Sequence, residues 1–386
     1  MIPIRYNLRS LMVRRVTSAM TAMGVALVVM ILFILFGFIG GLQRTLLMAG
    51  GTGNWIVLSK GAPAEGASVI GHEALNLLRV RPEIATDDSG APLISPELIA
   101  GLNIAPDKRR RQFTYLRGVR PIAYEVHRNL RLVNGHWPIR GHSEWVIGQK
   151  LAARFPSLAP GTTFHYGRRT WSIAGVFSDR DSARESEVWT DFDDLNEDAQ
   201  IKESRCNSVR LVMRPGMAAS FKRALAKDPR LPLDAVTEAD FYADQAKFAD
   251  NLRSLGLVVA ITLAIGAVFG GMNTMYAAVA RRGLELSVLR ALGFDRGSVL
   301  LSFVLESLII GLAGGAAGEA LALAIGYAIG LNSRQMNVGT FLFSYRPNAT
   351  AAAAGIAMAA IIGVLGGLMP AWRAARIGVI DSLREA

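Results

Sequence analysis

Four long apolar runs punctuate the chain, and between the first and second lies a stretch of about 200 residues with a different pattern. A hydrocarbon core about 30 Å thick takes roughly 20 apolar residues as helix. In lipid only a helix or a closed barrel pairs every backbone donor and acceptor, so each run predicts a spanning helix. The first extends from Ala19 to Leu42, inside an interval free of charge between Arg15 and Arg44. It is too long for a signal-peptide core, and no small-residue cleavage site follows it. The second covers Ser254 to Ala280, bounded by Arg253 and by Arg281 and Arg282. The third, Ser298 to Leu331, is long enough to tilt or break and carries two acids, Glu306 and Glu319. The fourth, Ala349 to Met369, is expected to end at Pro370.

From Thr45 the long runs give way to short alternating or β-branched pieces broken by Gly and Pro, such as Asn54-Trp-Ile-Val-Leu58, Glu144-Trp-Val-Ile147 and Thr170-Trp-Ser-Ile-Ala-Gly-Val-Phe177. This predicts a mixed α+β domain. Near its end Phe241, Phe248, Leu252 and Leu255 fall on one helical face, with no Gly or Pro between Glu238 and Leu255. A stalk helix is therefore expected to run from the domain straight into the second span. The fold class is an α-helical membrane protein with four transmembrane helices plus a mixed α+β extracytoplasmic domain between helices 1 and 2. Its expected segments are an amphipathic helix (1–18), helix 1 (19–44), the α+β domain with its stalk (45–250), helix 2 (251–280), a loop (281–297), helix 3 (298–331), a short loop (332–348), helix 4 (349–371) and a tail (372–386).

Charge sets the orientation. The formal net charge of +11 would suit a nucleic-acid binder if its arginines formed a patch. Instead they cluster at the ends of the apolar runs, which accounts for the charge by topology and leaves no nucleic-acid partner. Arg5, Arg9, Arg14 and Arg15 precede the first span, Arg281, Arg282, Arg290 and Arg296 join the second to the third, and Arg373, Arg376 and Arg384 follow the fourth. The positive-inside rule puts these segments and both termini in the cytoplasm of a bacterial inner membrane, and the large insert outside it. Ile4, Leu8, Leu11 and Met12 recur at helical spacing while Arg5, Asn7 and Arg9 point elsewhere. That pattern predicts a helix lying on the cytoplasmic leaflet in contact with membrane lipids.

Little in the insert suggests chemistry. Cys206, the single cysteine, excludes an internal disulfide and a thiolate-rich metal site. The five histidines, His72, His127, His136, His142 and His165, show no metal-ligand spacing, so neither a metal nor a catalytic centre is expected. Lys108-Arg-Arg-Arg111 reads as a solvated loop, with an acidic ligand or lipid headgroup as the alternative. No phosphate-binding loop ending in Gly-Lys-Ser/Thr is present, and Gly50-Gly-Thr-Gly53 has no lysine.

The loop after the second span carries the most specific motif: Arg281-Arg-Gly-Leu-Glu285-Leu-Ser-Val-Leu-Arg290-Ala-Leu-Gly293-Phe-Asp. Leu301-Ser-Phe-Val-Leu-Glu306-Ser-Leu and the glycine-rich Gly311 to Gly318 follow it. Together with Gly366-Gly-Leu-Met-Pro370-Ala-Trp-Arg373-Ala-Ala-Arg376 and the terminal Ser-Leu-Arg384-Glu, this resembles the FtsX-like, or MacB-like, ABC permease family. Val133-Asn-Gly135, Glu144-Trp-Val-Ile-Gly148 and Ile173-Ala-Gly-Val-Phe177 resemble that family's periplasmic core domain. Overall length and Asn273-Thr-Met-Tyr276 lean toward its DevC-like branch.

The resemblance implies a coupling helix gripped by a separate ABC ATPase dimer, with Glu285, Arg290, Ala291, Leu292 and Gly293 as the contact. The residues themselves suit a short capped helix. Glu285 can pair with Arg281 or Arg282, Gly293 suits a left-handed cap, and Asp295 can cap the third span. The plainer alternative is a basic membrane-edge loop that only enforces topology. No cofactor is expected on this chain, ATP and magnesium belonging to the partner. The resemblance further implies a permease homodimer, export by mechanotransmission of a lipid, glycolipid, lipoprotein or peptide, and a periplasmic adaptor and outer-membrane duct. A non-transporting regulator that activates a cell-wall hydrolase is the alternative.

A charge at mid-bilayer costs roughly 2.5–3.5 kcal/mol on insertion scales, so Glu306 and Glu319 need partners, protonation or a wet surface. Packing hydrogen bonds or a proton relay would meet that need. Glu306 matches a position where the family carries Glu and can lie near the cytoplasmic edge, whereas Glu319 does not match its pattern. Gly37/Gly41, Gly266/Gly270, Gly311/Gly315 and Gly363/Gly367 form small-xxx-small pairs that permit close helix approach within the chain or at a dimer seam.

Overall fold

The computed structural model describes residues 15–50, 53–107, 110–200, 205–331 and 335–376. Most of the amphipathic helix expected at 1–18, Lys108 and Arg109 of the basic run, and the tail from 377 onward lie outside the described residues. The chain forms two compact units. One contains Gly41–Ala249 and Ser333–Ser344, and the other contains Met1–Gly40, Asp250–Asn332 and Tyr345–Ala386.

Helix α1 (Arg15–Ala49) begins the described chain. The first unit is built on a ten-stranded sheet of β1 (Trp55–Ser59), β2 (Ile94–Asp107), β3 (Arg110–Val119), β4 (Arg131–Gly135), β5 (Glu144–Gly148), β6 (Thr163–Tyr166), β7 (Arg169–Ser178), β8 (Val188–Asp191), β9 (Ser208–Leu211) and β10 (Leu233–Thr237). Their spatial order is β10-β1-β9-β2-β3-β8-β5-β7-β4, with β6 on β7. Pairing is antiparallel except for β3 with β8 and β5 with β7. Helices α2 (His72–Arg79), α3 (Ala123–Val126), α4 (Gln149–Arg154), α5 (Phe192–Asp198) and α6 (Ala218–Lys227) lie between the strands in sequence. The mixed α+β reading of the insert is what the chain adopts.

The strands follow their side-chain pattern. Along β7, Trp171, Ile173, Gly175 and Phe177 are buried and the residues between them are not, as a period of two requires. Trp145 of β5 stacks on Trp171 with ring centroids 5.5 Å apart, and Phe177 packs on Trp189 of β8 at 5.2 Å. Large aromatic contacts of this kind anchor a core. Asp191 closes the start of α5, its carboxylate accepting from the Asp193 and Asp194 amides.

The remaining helices are α7 (Glu238–Ala280), α8 (Gly283–Ala291), α9 (Arg296–Ala328) and α10 (Ala349–Ala375). Among the described residues, four helices, α1, α7, α9 and α10, are long and apolar enough to cross a membrane. Helix α7 is continuous from the end of the sheet domain through its apolar run. Between α9 and α10 the chain folds into the hairpin β11 (Gln335–Val338) and β12 (Phe341–Ser344). The hairpin joins the sheet domain, where the Leu342 amide donates to the Ser186 hydroxyl at 2.8 Å.

Pro370 does not end α10, which continues to Ala375. The proline is buried within the helix. Proline is tolerated in spanning helices where neighbours compensate the missing bond. Three of the glycine pairs pack inside the chain: a Cβ on Gly311 would come 2.6 Å from the Ala359 carbonyl oxygen and 3.0 Å from Gly363 Cα. Gly367 lies against Ser307, and Gly37 against the Tyr345 ring. A Cβ on Gly266 or Gly270 of α7 would meet nothing within 4 Å among the described residues.

Candidate functional site

Helix α8 has nine residues, too few to hold as an isolated helix, so its ends and one buried face must fix it. Leu286 is buried among Met275 and Val279 of α7, Phe303 of α9 and Ala371 and Ala374 of α10. Glu285 in the first turn and Arg290 in the last complement the helix dipole. Gly293, at φ +94°, takes the left-handed conformation that closes the helix, its amide donating to the Arg290 carbonyl at 3.1 Å. Asp295 then opens α9 by accepting from the Gly297 amide at 3.1 Å and the Ser298 amide at 3.3 Å.

Two arginines tie α8 to its neighbours. Arg282, just before the helix, is buried and donates from Nη1 to Glu306 Oε2 at 3.0 Å, with its guanidinium 5.8 Å from the Phe303 ring centroid. Its Nε lies 3.8 Å from Glu285 Oε2. Glu306 thus has a partner that helical spacing could not suggest, since Arg282 is 24 residues away. Arg290 Nη1 donates to the carbonyl of Ala375, the last residue of α10, at 3.3 Å. Arg290 therefore turns inward, while Glu285, Ala291, Leu292 and Gly293 are exposed. Val288, absent from the sequence reading, is also exposed, and Glu285, Val288 and Leu292 share one helical face by their spacing. Leu292 is 73% exposed, so this small end presents apolar surface beside an acid.

Glu319 is not part of this arrangement. It follows Glu306 by more than three turns of α9, roughly 20 Å along the axis. Its Oε1 has no hydrogen-bond partner among the described residues and lies against Gly355 of α10.

The sheet domain holds a buried ionic network that no sequence motif announces. Arg117 of β3 meets Glu187 (Nε to Oε2, 2.7 Å), Glu97 (Nη1 to Oε2, 2.6 Å) and Glu65 (Nη1 to Oε2, 2.8 Å). Arg210 of β9 meets Glu65 and Glu238, each at 2.7 Å, and Glu97. Arg184 meets Asp179 and Glu238, each at 2.8 Å. His127 Nε2 lies 2.8 Å from Glu97 Oε1. Burial alone would raise the Glu65 carboxyl, but the Arg117 and Arg210 charges outweigh it and hold it at about 2. Burial likewise opposes ionisation of Glu97, and Arg210 and Arg117 hold it far below the usual carboxylate range. A charged residue in the middle of an otherwise apolar strand, as in Ser208-Val-Arg-Leu211, was the available signal.

Residues 18–226 match the MacB-like periplasmic core domain, and residues 257–379 match the FtsX-like permease C-terminal domain. The chain belongs to the FtsX-like, MacB-like ABC transporter permease family. A macrolide export ATP-binding/permease protein MacB from Chromobacterium violaceum is 35% identical to this permease over 134 residues, 34% of this chain and 20% of that one. The ABC transporter permease YknZ of Bacillus subtilis is 33% identical over 137 residues, 34% of this chain and 30% of that one. These alignments therefore span less than a third of either relative. The DevC-like branch gains no specific support from them. The crystal structure of the periplasmic region of MacB from Actinobacillus actinomycetemcomitans aligns with 52% of this chain and 94% of its own, at 14% identity and a TM-score of 0.38.

Proposed function

We propose that this chain is the membrane subunit of an ATP-driven exporter, working as a dimer with a separate pair of ABC ATPase subunits that carry ATP and magnesium. The observation that carries the reading is the exposed end built by α8. A capped helix, tied to three spanning helices through Leu286, Arg282–Glu306 and Arg290–Ala375, presents Glu285, Val288, Ala291 and Leu292 outward. Load applied there reaches α7, α9 and α10 together.

In this reading both termini and α8 face the cytoplasm of a bacterial inner membrane and the sheet domain faces outward. Nucleotide-driven closure of the ATPases displaces α8, and the motion passes to the outer domain by mechanotransmission. Cargo is then handed to a periplasmic adaptor and an outer-membrane duct. The permease relatives and the size of the outer domain support export over control of a cell-wall hydrolase.

The test is affinity purification of the tagged chain in mild detergent, with identification of co-purifying proteins and an assay of ATP hydrolysis. A stoichiometric ATPase is expected, and Glu285→Lys should weaken its retention without preventing membrane insertion. An intact, folded chain that retains no ATPase would overturn the proposal.

A further inference from the structure

The sheet domain contains a cleft of about 860 Å³ that the permease motifs do not account for. Its walls come from the end of α1, β1, β3, β10, the first turns of α7 and the β11–β12 hairpin, all within one compact unit. The lining includes Leu46, Phe113, Phe241, Phe248 and Phe341. Two of these aromatics are far from buried: Phe113 is 44% exposed and Phe248 is 54% exposed. Aromatic surface left uncovered in a concave site is a binding surface awaiting an apolar body.

The charged residues that line the cleft have one sign, beside the neutral Ser59, Tyr115, Gln245 and Thr340. Asp234 and Asp244 line it, and among the described lining residues there is no lysine or arginine, although the chain as a whole carries +11. Asp234 is exposed and accepts from the Gly61 amide at 3.1 Å, while Asp244 meets Lys247 at 2.6 Å in a pair with both side chains about 70% exposed. An exposed pair of that kind is weak and readily exchanged for another cation. Apolar walls with carboxylates at the edge complement an apolar body that bears a positive charge and no compensating anion.

We propose that this cleft binds lipophilic amines, with the apolar part between Phe113, Phe241, Phe248 and Phe341 and the ammonium group beside Asp234 and Asp244. The proposal rests on the exporter reading only for what the site is for. Binding itself is measured without any ATPase, so failure of one leaves the other standing.

Cysteine protection tests it in the full chain, reconstituted in phosphatidylcholine nanodiscs. Cys206 is buried, and burial pushes its thiol up to about 12, so it does not compete for label. Gln245→Cys places a reporter in the cleft, and Val80→Cys, at a site 77% exposed and not in the cleft wall, serves as control. Maleimide labelling rates are read with dodecylamine, dodecanol and dodecanoate below their micelle concentrations.

Dodecylamine should slow labelling of the Gln245→Cys reporter about tenfold while leaving the Val80→Cys control unchanged, and at roughly two- to fivefold lower concentration than dodecanol. In Asp234→Asn/Asp244→Asn, which retains the shape of both side chains, that preference should disappear. Four results would overturn the proposal. They are no protection by dodecylamine, equal slowing in the control, equal or better protection by dodecanoate, and equal protection by phosphatidylethanolamine in the disc, a lipid that carries its own anion.

Discussion

Replacing Arg210 with Met should be the most damaging single change in the buried network of the sheet domain, and the reason is its charge balance. Among the described residues, the network joins Glu65, Glu97, Glu187, Glu238 and Asp179 to Arg117, Arg184 and Arg210, with His127 beside Glu97. Acids outnumber arginines. Arg210→Met leaves Glu65, Glu97 and Glu238 short of a shared donor in a buried site, which costs about 3–5 kcal/mol. Glu65→Gln keeps an acceptor for the guanidinium groups but gives up the ionised carboxylate that Arg117 and Arg210 hold, so its cost is about 2–3 kcal/mol. The sign of the pH effect follows from the same contacts. Glu65 is held at about 2 in the folded chain against an ordinary 4.5, so the unfolded chain takes up the proton first as pH falls. Its contribution is fully present above pH 4.5 and fades toward pH 2. From Glu65 alone about 2 kcal/mol is lost by pH 3. In Arg210→Met the abandoned carboxylates protonate more readily, so the gap from wild type narrows at low pH. Urea unfolding followed by tryptophan emission reads this unit, since Trp55, Trp137, Trp145, Trp171 and Trp189 all lie in it. A Glu65→Gln penalty as large as that of Arg210→Met, or a wild-type midpoint equal at pH 7 and pH 3, would refute the argument.

Other expectations follow from the spanning helices. Gly311→Ala drives a methyl group to within 2.6 Å of the Ala359 carbonyl oxygen and should lower the stability of the folded chain by about 1–3 kcal/mol, whereas the methyl of Gly266→Ala meets nothing among the described residues and should be silent in the monomer. Melting of the two variants in detergent, read by a thiol or light-scattering probe, distinguishes them. Arg282→Met removes the buried ion pair of Glu306, and Arg282→Met with Glu306→Leu should recover part of the loss, which a double-mutant cycle on the same melting assay measures. A reporter fused after Asp88 should map outside the cytoplasm and one after Phe294 inside; the reverse pattern would sink the proposed topology.

The spanning helices were legible because length and apolarity are local properties. The strands at Glu144–Gly148 and Arg169–Ser178 were legible because alternation is local too. What escaped was decided by residues far apart in the chain. Glu306 needed a partner, but its identity depends on how the start of α8 sits against α9, and Arg282 had a nearer candidate in Glu285. The hairpin at Gln335–Ser344 is too short and too weakly patterned to declare its place, which is set by Ser186 and Leu342. The stalk face was readable as a helix, yet the expected stripe is not uniformly buried. Phe241 is packed, whereas Phe248 opens into the cleft and Leu255 is 63% exposed. Spacing reports which residues share a face, and only the fold reports what covers it.

Arg184 shows how such non-local pairing could serve the proposed function. Its Nη2 donates to the carbonyl of Ala49, the last residue of α1, at 2.9 Å, and to Oε1 of Glu238, the first residue of α7, at 2.8 Å. Nη1 holds Asp179 at 2.8 Å. A guanidinium is a planar fork whose donors cannot move apart, so these three acceptors keep a fixed geometry. Separating the end of α1 from the start of α7 breaks a buried, charge-assisted hydrogen bond at about 1.5–3 kcal/mol. Arg210 adds a second hold on Glu238 from β9, 2.7 Å away. The two helix ends and the sheet therefore share one joint. In the proposed mechanism this joint is where a displacement carried by either helix would enter the sheet domain, and Arg184→Met should loosen it.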